Sequence, residues 1–133
     1  MFSDHVLRIA DHLYNIGEEL LRFRKRIWKD EKLLSLFRKL IGMASTIFED
    51  SINTFINIDP QHTMKILNQI SDTVDHQLSD KELLKTCGSE RMYLIEKILC
   101  LLKEIILECE RIVEEVFDRF VEDGRPICML KEV

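Results

Sequence analysis

Apolar residues recur three and four positions apart along this chain from its first turn onward, with polar residues filling the intervals. Near the N-terminus the series is Val6, Ile9, Leu13, Ile16 and Leu20, and near the other end Cys109, Ile112, Val116 and Phe120. That spacing lines one side of a helix of 3.6 residues per turn, so both segments read as amphipathic helices. The same pattern predicts four helices in all. The first, capped by Ser3 or Asp4, runs to about Trp28. The second starts near Asp30, turns Leu33, Phe37, Leu40, Ala44, Ile47, Phe48, Ile52 and Phe55 inward and stops before Asp59-Pro60. An Asp side chain accepts from the unpaired amides of a first helical turn and Pro has no amide to lose there, so Asp59 should start helix three. That helix buries Met64, Leu67, Ile70 and Val74 and frays near Ser79-Asp80. After Gly88 a long fourth helix, capped by Ser89, turns Met92, Ile95, Leu99, Leu102, Ile106, Cys109, Val113, Val116 and Phe120 inward and ends at Asp123-Gly124. Short connections at 28–31 and at Asp59 make neighbouring helices antiparallel. The expected fold is all-α, an antiparallel up-down bundle of about four helices over residues 1–124, followed by a tail at 125–133.

The polar faces of the first and last helices are alike. Asp4, Asp11, Asn15 and Glu18 fall within about 60° of one another, away from the apolar seam, and Glu110, Glu114 and Asp118 form a similar row. Carboxylates four apart on one helix supply two or three oxygens to a hard or borderline cation, although such a row also serves solubility alone. The segments carrying the rows look like copies: RIADHLYNIGEE at 8–19 returns in degenerate form as ERIVEEVFDRFVE at 110–122.

In these segments the chain resembles the PhoU family of phosphate-uptake regulators, whose repeats end in a helix marked by something like ERIGDxxxNIAE. Arg8-Ile9-Ala10-Asp11 and Asn15-Ile16-Gly17-Glu18 match that signature, and Glu110-Arg111-Ile112 with Glu114 matches its first half. TFINID at 54–59 and ISDTVD at 70–75 are similar to the elements between. The resemblance implies a shortened PhoU-like helical bundle, beginning with the last helix of one repeat and continuing with one complete repeat. It implies a non-catalytic regulatory or adaptor role in phosphate uptake and its signalling, docking on a membrane transporter or a sensor kinase. It also implies a transition-metal ion, whether iron, zinc, manganese or nickel, held by Asp11, Asn15, Glu110, Glu114 and Asp118. Departures from the signature are Leu7 at its first acidic position, Glu114 for Asp, Glu115 for His or Tyr, and Asp118 for Asn.

Composition agrees with helices: 133 residues with 46% hydrophobic content, four Gly and two Pro leave few turns for a β-rich fold. A net charge of −5 gives no general footprint for nucleic acid. One local patch runs against that balance. Arg22, Arg24, Lys25, Arg26, Lys29 and Lys32, interleaved with Phe23, Ile27 and Trp28, form a candidate docking face for anionic headgroups, by peripheral membrane contact, or for an acidic partner. The plainer reading is that these cations complement the helix dipole and stay solvated. Cys87, Cys100, Cys109 and Cys128 show no zinc-type spacing and read as reduced, mostly buried thiols. With no signal peptide and no apolar run of membrane-spanning length, a cytoplasmic location is expected.

An enzyme is not expected. There is no ExxH pair for a di-metal carboxylate site, no Gly-rich phosphate loop and no nucleophile at a suitable distance from a base. His5 and His12 share a helix face at the border of the core and read as flanking residues sooner than as ligands. His62 and His76 stand alone. The carboxylate rows leave a metal-binding bundle for ion sensing or storage as one alternative; the wide apolar faces of the first and fourth helices, with Leu94, Leu101 and Leu107 outside the main seam of the fourth, leave a helical module forming a homo-oligomer as another.

Overall fold

The computed structural model describes residues 2–57, 59–77 and 89–122, with the side chains of 76–77, 89–91 and 120–122 set aside. The fold is all-α, and no strand occurs among the described residues. The helices are α1 (Phe2–Arg22), α2 (Arg24–Lys29), α3 (Glu31–Ile56), α4 (Pro60–Asp72), which runs into a π-helical turn at Thr73–Gln77, and α5 (Ser89–Glu122). The expected features at Ser79-Asp80, Gly88, Cys87, Asp123-Gly124, Cys128 and the tail at 125–133 lie outside the described residues. Among the described residues no helix is long and apolar enough to cross a membrane.

Two of the expected starts are capped as the residues dictate. The Asp30 carboxylate accepts from the Leu33 amide at 3.2 Å, and the Asp59 carboxylate accepts from the Gln61 amide at 3.1 Å with Pro60 in the first turn. The first helix departs from expectation at both ends. Helical backbone already includes Ser3 and Asp4, so neither precedes it as a cap. It also breaks at Phe23, where φ −104° and ψ 16° leave helical geometry before α2 resumes. Arg22 with Arg26 and Lys25 with Lys29 are like charges four apart, which weaken a helix along this stretch.

Helix α5 is the hub, packed against α1, α3 and α4. It buries the expected Ile95, Leu99, Leu102, Ile106, Cys109, Val113 and Val116 and a second stripe beside them, Leu94, Ile98, Leu101, Ile105 and Ile112. Leu94 and Leu101 therefore belong to the intramolecular core, while Leu107 is half-buried. Helix α1 runs opposite to it: His5 meets Glu108 and Glu115 at one end, and Phe23 lies 6.2 Å from Tyr93 at the other. Phe2 stacks on Phe55 of α3 at 4.2 Å, and Arg119 of α5 lies over the same Phe55 ring.

The buried faces of α3 and α4 are more polar than the apolar pattern indicates. In α3 the inward line from Leu33 to Ile47 continues through Ser51 and Thr54, while Phe48, Ile52 and Phe55 are only half-buried. In α4 the buried set is Thr63, Ile66, Ile70 and then Thr73, with Met64 exposed and Leu67 and Val74 half-buried. Each buried hydroxyl donates to a carbonyl of its own helix: Ser51 to Ile47, Thr54 to Ser51, Thr63 to Asp59 and Thr73 to Gln69. Satisfied locally, they pack as small side chains and let α3 and α4 lie close to α5.

Candidate functional site

Helix α1 carries Leu13 on its exposed side, at 52% exposure, not in the seam. The seam instead follows His5, Ile9, His12, Ile16 and Glu19, with His5, Ile9 and Ile16 buried. His5 therefore faces α5 at a point where that helix interrupts its apolar stripe with Glu108, a carboxylate only 2% exposed. His5 Nδ1 lies 2.7 Å from Glu108 Oε2, and its Nε2 lies 3.1 Å from Glu115 Oε1, one heptad further along α5. Arg111 donates to Glu108 Oε1, and Arg8 Nη1 stands 3.8 Å from the same oxygen.

The two similar segments thus meet at one carboxylate. Arg8-Ile9 of the first and Arg111-Ile112 of the second each bury the isoleucine and turn the arginine to Glu108. A carboxylate oxygen stands at each ring nitrogen, so His5 bridges two acids of α5 that lie seven residues apart. Burial pushes the Glu115 carboxyl up, yet the hydrogen bonds and charges around it, His5 among them, outweigh this and hold it below the usual range. The cluster is a polar clasp between α1 and α5.

Cys109, next to Glu108, is no nucleophile. Burial pushes its thiol up to about 12; a hydrogen bond with Ser51 works against this and the Glu108 charge adds to it. Cys100, expected to be buried, is exposed.

The expected metal ligands lie on two helices. Asp11 and Asn15 are exposed on α1, Glu114 and Asp118 are exposed on α5, and Glu110 is half-buried. Glu110 and Glu114 do come together. Burial first, then a hydrogen bond and charge repulsion from Glu114, raise the Glu110 carboxyl. Among the described residues no three His, Cys, Asp or Glu side chains converge on a point that would hold a metal ion.

The expected docking residues are grouped. Arg22, Arg24, Lys25, Arg26, Lys29 and Lys32 are all exposed. The break at Phe23 makes a depression of about 550 Å³ lined by Leu21, Arg22, Phe23, Arg24, Lys25 and Arg26, with the Arg22 guanidinium 5.6 Å from the centre of the Phe23 ring. Trp28 stands beyond it on α2 at 75% exposure. Four cations around an open hollow, with an indole alongside, suit a phosphate or carboxylate that reaches them from an amphipathic surface.

Comparison of the chain with protein-family models, with curated proteins and with solved structures finds no match.

Proposed function

We propose that the chain is a non-catalytic regulatory adaptor of the PhoU kind, an antiparallel up-down bundle that docks on the anionic cytoplasmic face of a membrane beside a phosphate transporter or its sensor kinase. The observation that carries this reading is the basic hollow at 22–26 with Trp28 exposed next to it. Each Lys or Arg near an anionic membrane surface contributes on the order of 1 kcal/mol, and an indole settles at the boundary between headgroups and acyl chains. The likeness of 8–19 and 110–122 to the PhoU signature supports the regulatory part of the reading, as does the meeting of those two segments at Glu108. Helix directions that follow from Phe2 beside Phe55 and Phe23 beside Tyr93 support the bundle.

Co-sedimentation with vesicles tests the docking face. The protein should pellet with vesicles rich in anionic lipid, less so as salt is raised, and reversal of Arg22, Arg24, Lys25 and Arg26 to Glu should abolish pelleting. Equal pelleting of the reversed variant would remove this face from the account. Recruitment only by vesicles that also carry a transporter would assign the docking to protein and not to lipid.

A further inference from the structure

The basic hollow continues into a second depression of the opposite character. Leu21 and Arg24, which line the hollow, also line an apolar groove of about 400 Å³. Gly17, Leu20 and Leu21 of α1 form one side of that groove, and Leu34, Phe37 and Ile41 of α3 form the other. Its lining is almost wholly apolar although Arg24 and Arg38 belong to it, so both arginines turn their methylene stems to it and leave their charges for its rim. The size falls within the range of about 300–1,000 Å³ typical of small-ligand sites.

Gly17 keeps the groove open. A glycine inside a helix is destabilising relative to alanine, and a Cβ built on Gly17 meets nothing within 4 Å, so packing within the chain does not require it. A larger side chain at this position would stand in the groove.

The two depressions together select a ligand. A free anion satisfies the cations of the hollow and leaves the groove in water; a purely apolar molecule fills the groove and leaves the cations unused. A molecule with an anionic head and a flexible apolar chain uses both, with Arg24 at the junction. Trp28 borders the groove at 75% exposure, and an indole settles where headgroups meet acyl chains, which favours a lipid over a protein segment as the occupant. We infer that the groove takes one acyl chain of an anionic phospholipid whose phosphate sits in the hollow. The inference rests on the docking reading above and deepens it: the protein holds an individual lipid by head and chain in addition to meeting a charged surface.

Titration of the full chain with palmitoyl lysophosphatidylglycerol, kept below the concentration at which it forms micelles, tests the groove without a bilayer. Trp28 emission should move to shorter wavelength and saturate at one lipid per chain, while glycerol phosphate, the head without the chain, should leave it fixed. Gly17→Leu, which fills the groove, should weaken lysolipid binding by roughly tenfold or more, equivalent to the loss of about two buried methylene groups. Leu21→Gln, at an exposed position where helical circular dichroism should be unchanged, should weaken it as well. Binding by both variants equal to that of the wild type would overturn the proposal. A wild type that pellets with anionic vesicles but gives no chain-dependent shift would overturn it too and leave the docking face standing; a wild type that does neither would remove both. A dimer seen in sedimentation without lipid, and not dissociated by lysolipid, with Trp28 emission already at short wavelength, would assign the groove to a second copy and overturn the lipid reading.

Discussion

The Glu108 carboxyl sits among apolar neighbours and needs polar partners in place of the water it has lost. His5 and Arg111 serve directly, and Arg8 adds its charge from slightly further away. Glu108→Ala leaves His5 Nδ1 without its partner in a buried site while Nε2 keeps Glu115, and the free energy of unfolding in urea should fall by about 2 kcal/mol. His5→Leu combined with Glu108→Leu removes both buried polar groups, leaves Arg8 and Arg111 free to turn to water, and should recover most of that loss. If the double variant is as unstable as the single one, the clasp is not the source of the effect. Glu115 adds an acid limit, set by the hydrogen bonds and charges around it with His5 among them. Its carboxyl is held below the ordinary value of 4.5, so its contribution is complete above that pH and disappears as pH falls through the lowered folded value. Urea unfolding measured from pH 7 down to pH 3 should show stability dropping below about pH 4.5, and the drop should be smaller in Glu115→Gln. His5 was visible in the sequence as a residue at the edge of a stripe; its two partners were not. Glu108 and Glu115 look like ordinary solvent-facing acids until α5 is seen to bury a second face.

At the scale of elements, the helices were legible where one stripe and one cap agree. Asp30 and Asp59 start α3 and α4 as their side-chain chemistry requires. Periodicity misplaced faces where small hydroxyl residues stood in for apolar ones: Thr63 and Thr73 turn inward on α4 because each satisfies its hydroxyl on its own helix, and Met64 is left outside. It also understated α5, whose two adjacent stripes merge into a wide buried band because the helix has neighbours on several sides. The break at Phe23 leaves no trace in the pattern because Phe23 and Ile27 keep the apolar spacing while only the backbone at Phe23 itself leaves helical geometry. Gly42 of α3 offers a simple check on helix packing. A Cβ there also meets nothing within 4 Å, and unlike Gly17 it lines no groove described above. Gly42→Ala should therefore raise stability by about 1 kcal/mol in thermal or urea unfolding. A loss of stability would mean that the Gly42 side of α3 is more tightly covered than the fold shows.

For the whole molecule, the arrangement assigns separate work to the two sides of α1. Its inner side is fastened to α5 by core residues and the Glu108 clasp; its outer side and α2 present an apolar stripe and then a basic hollow to the surroundings. A chain with net charge −5 thus keeps a concentrated positive patch at one place. Local sequence made the patch legible, since six cations fall within eleven residues (22–32). The hollow was not, because it lies at the helix break, which the spacing of apolar residues does not mark. Trp28 is the single tryptophan of the chain and stands at the edge of that patch, so its fluorescence reports on docking with no added label. Titration with vesicles rich in anionic lipid should shift Trp28 emission to shorter wavelength, and vesicles of zwitterionic lipid alone should leave it unchanged. An emission maximum that stays fixed through saturating anionic lipid would contradict docking through this face.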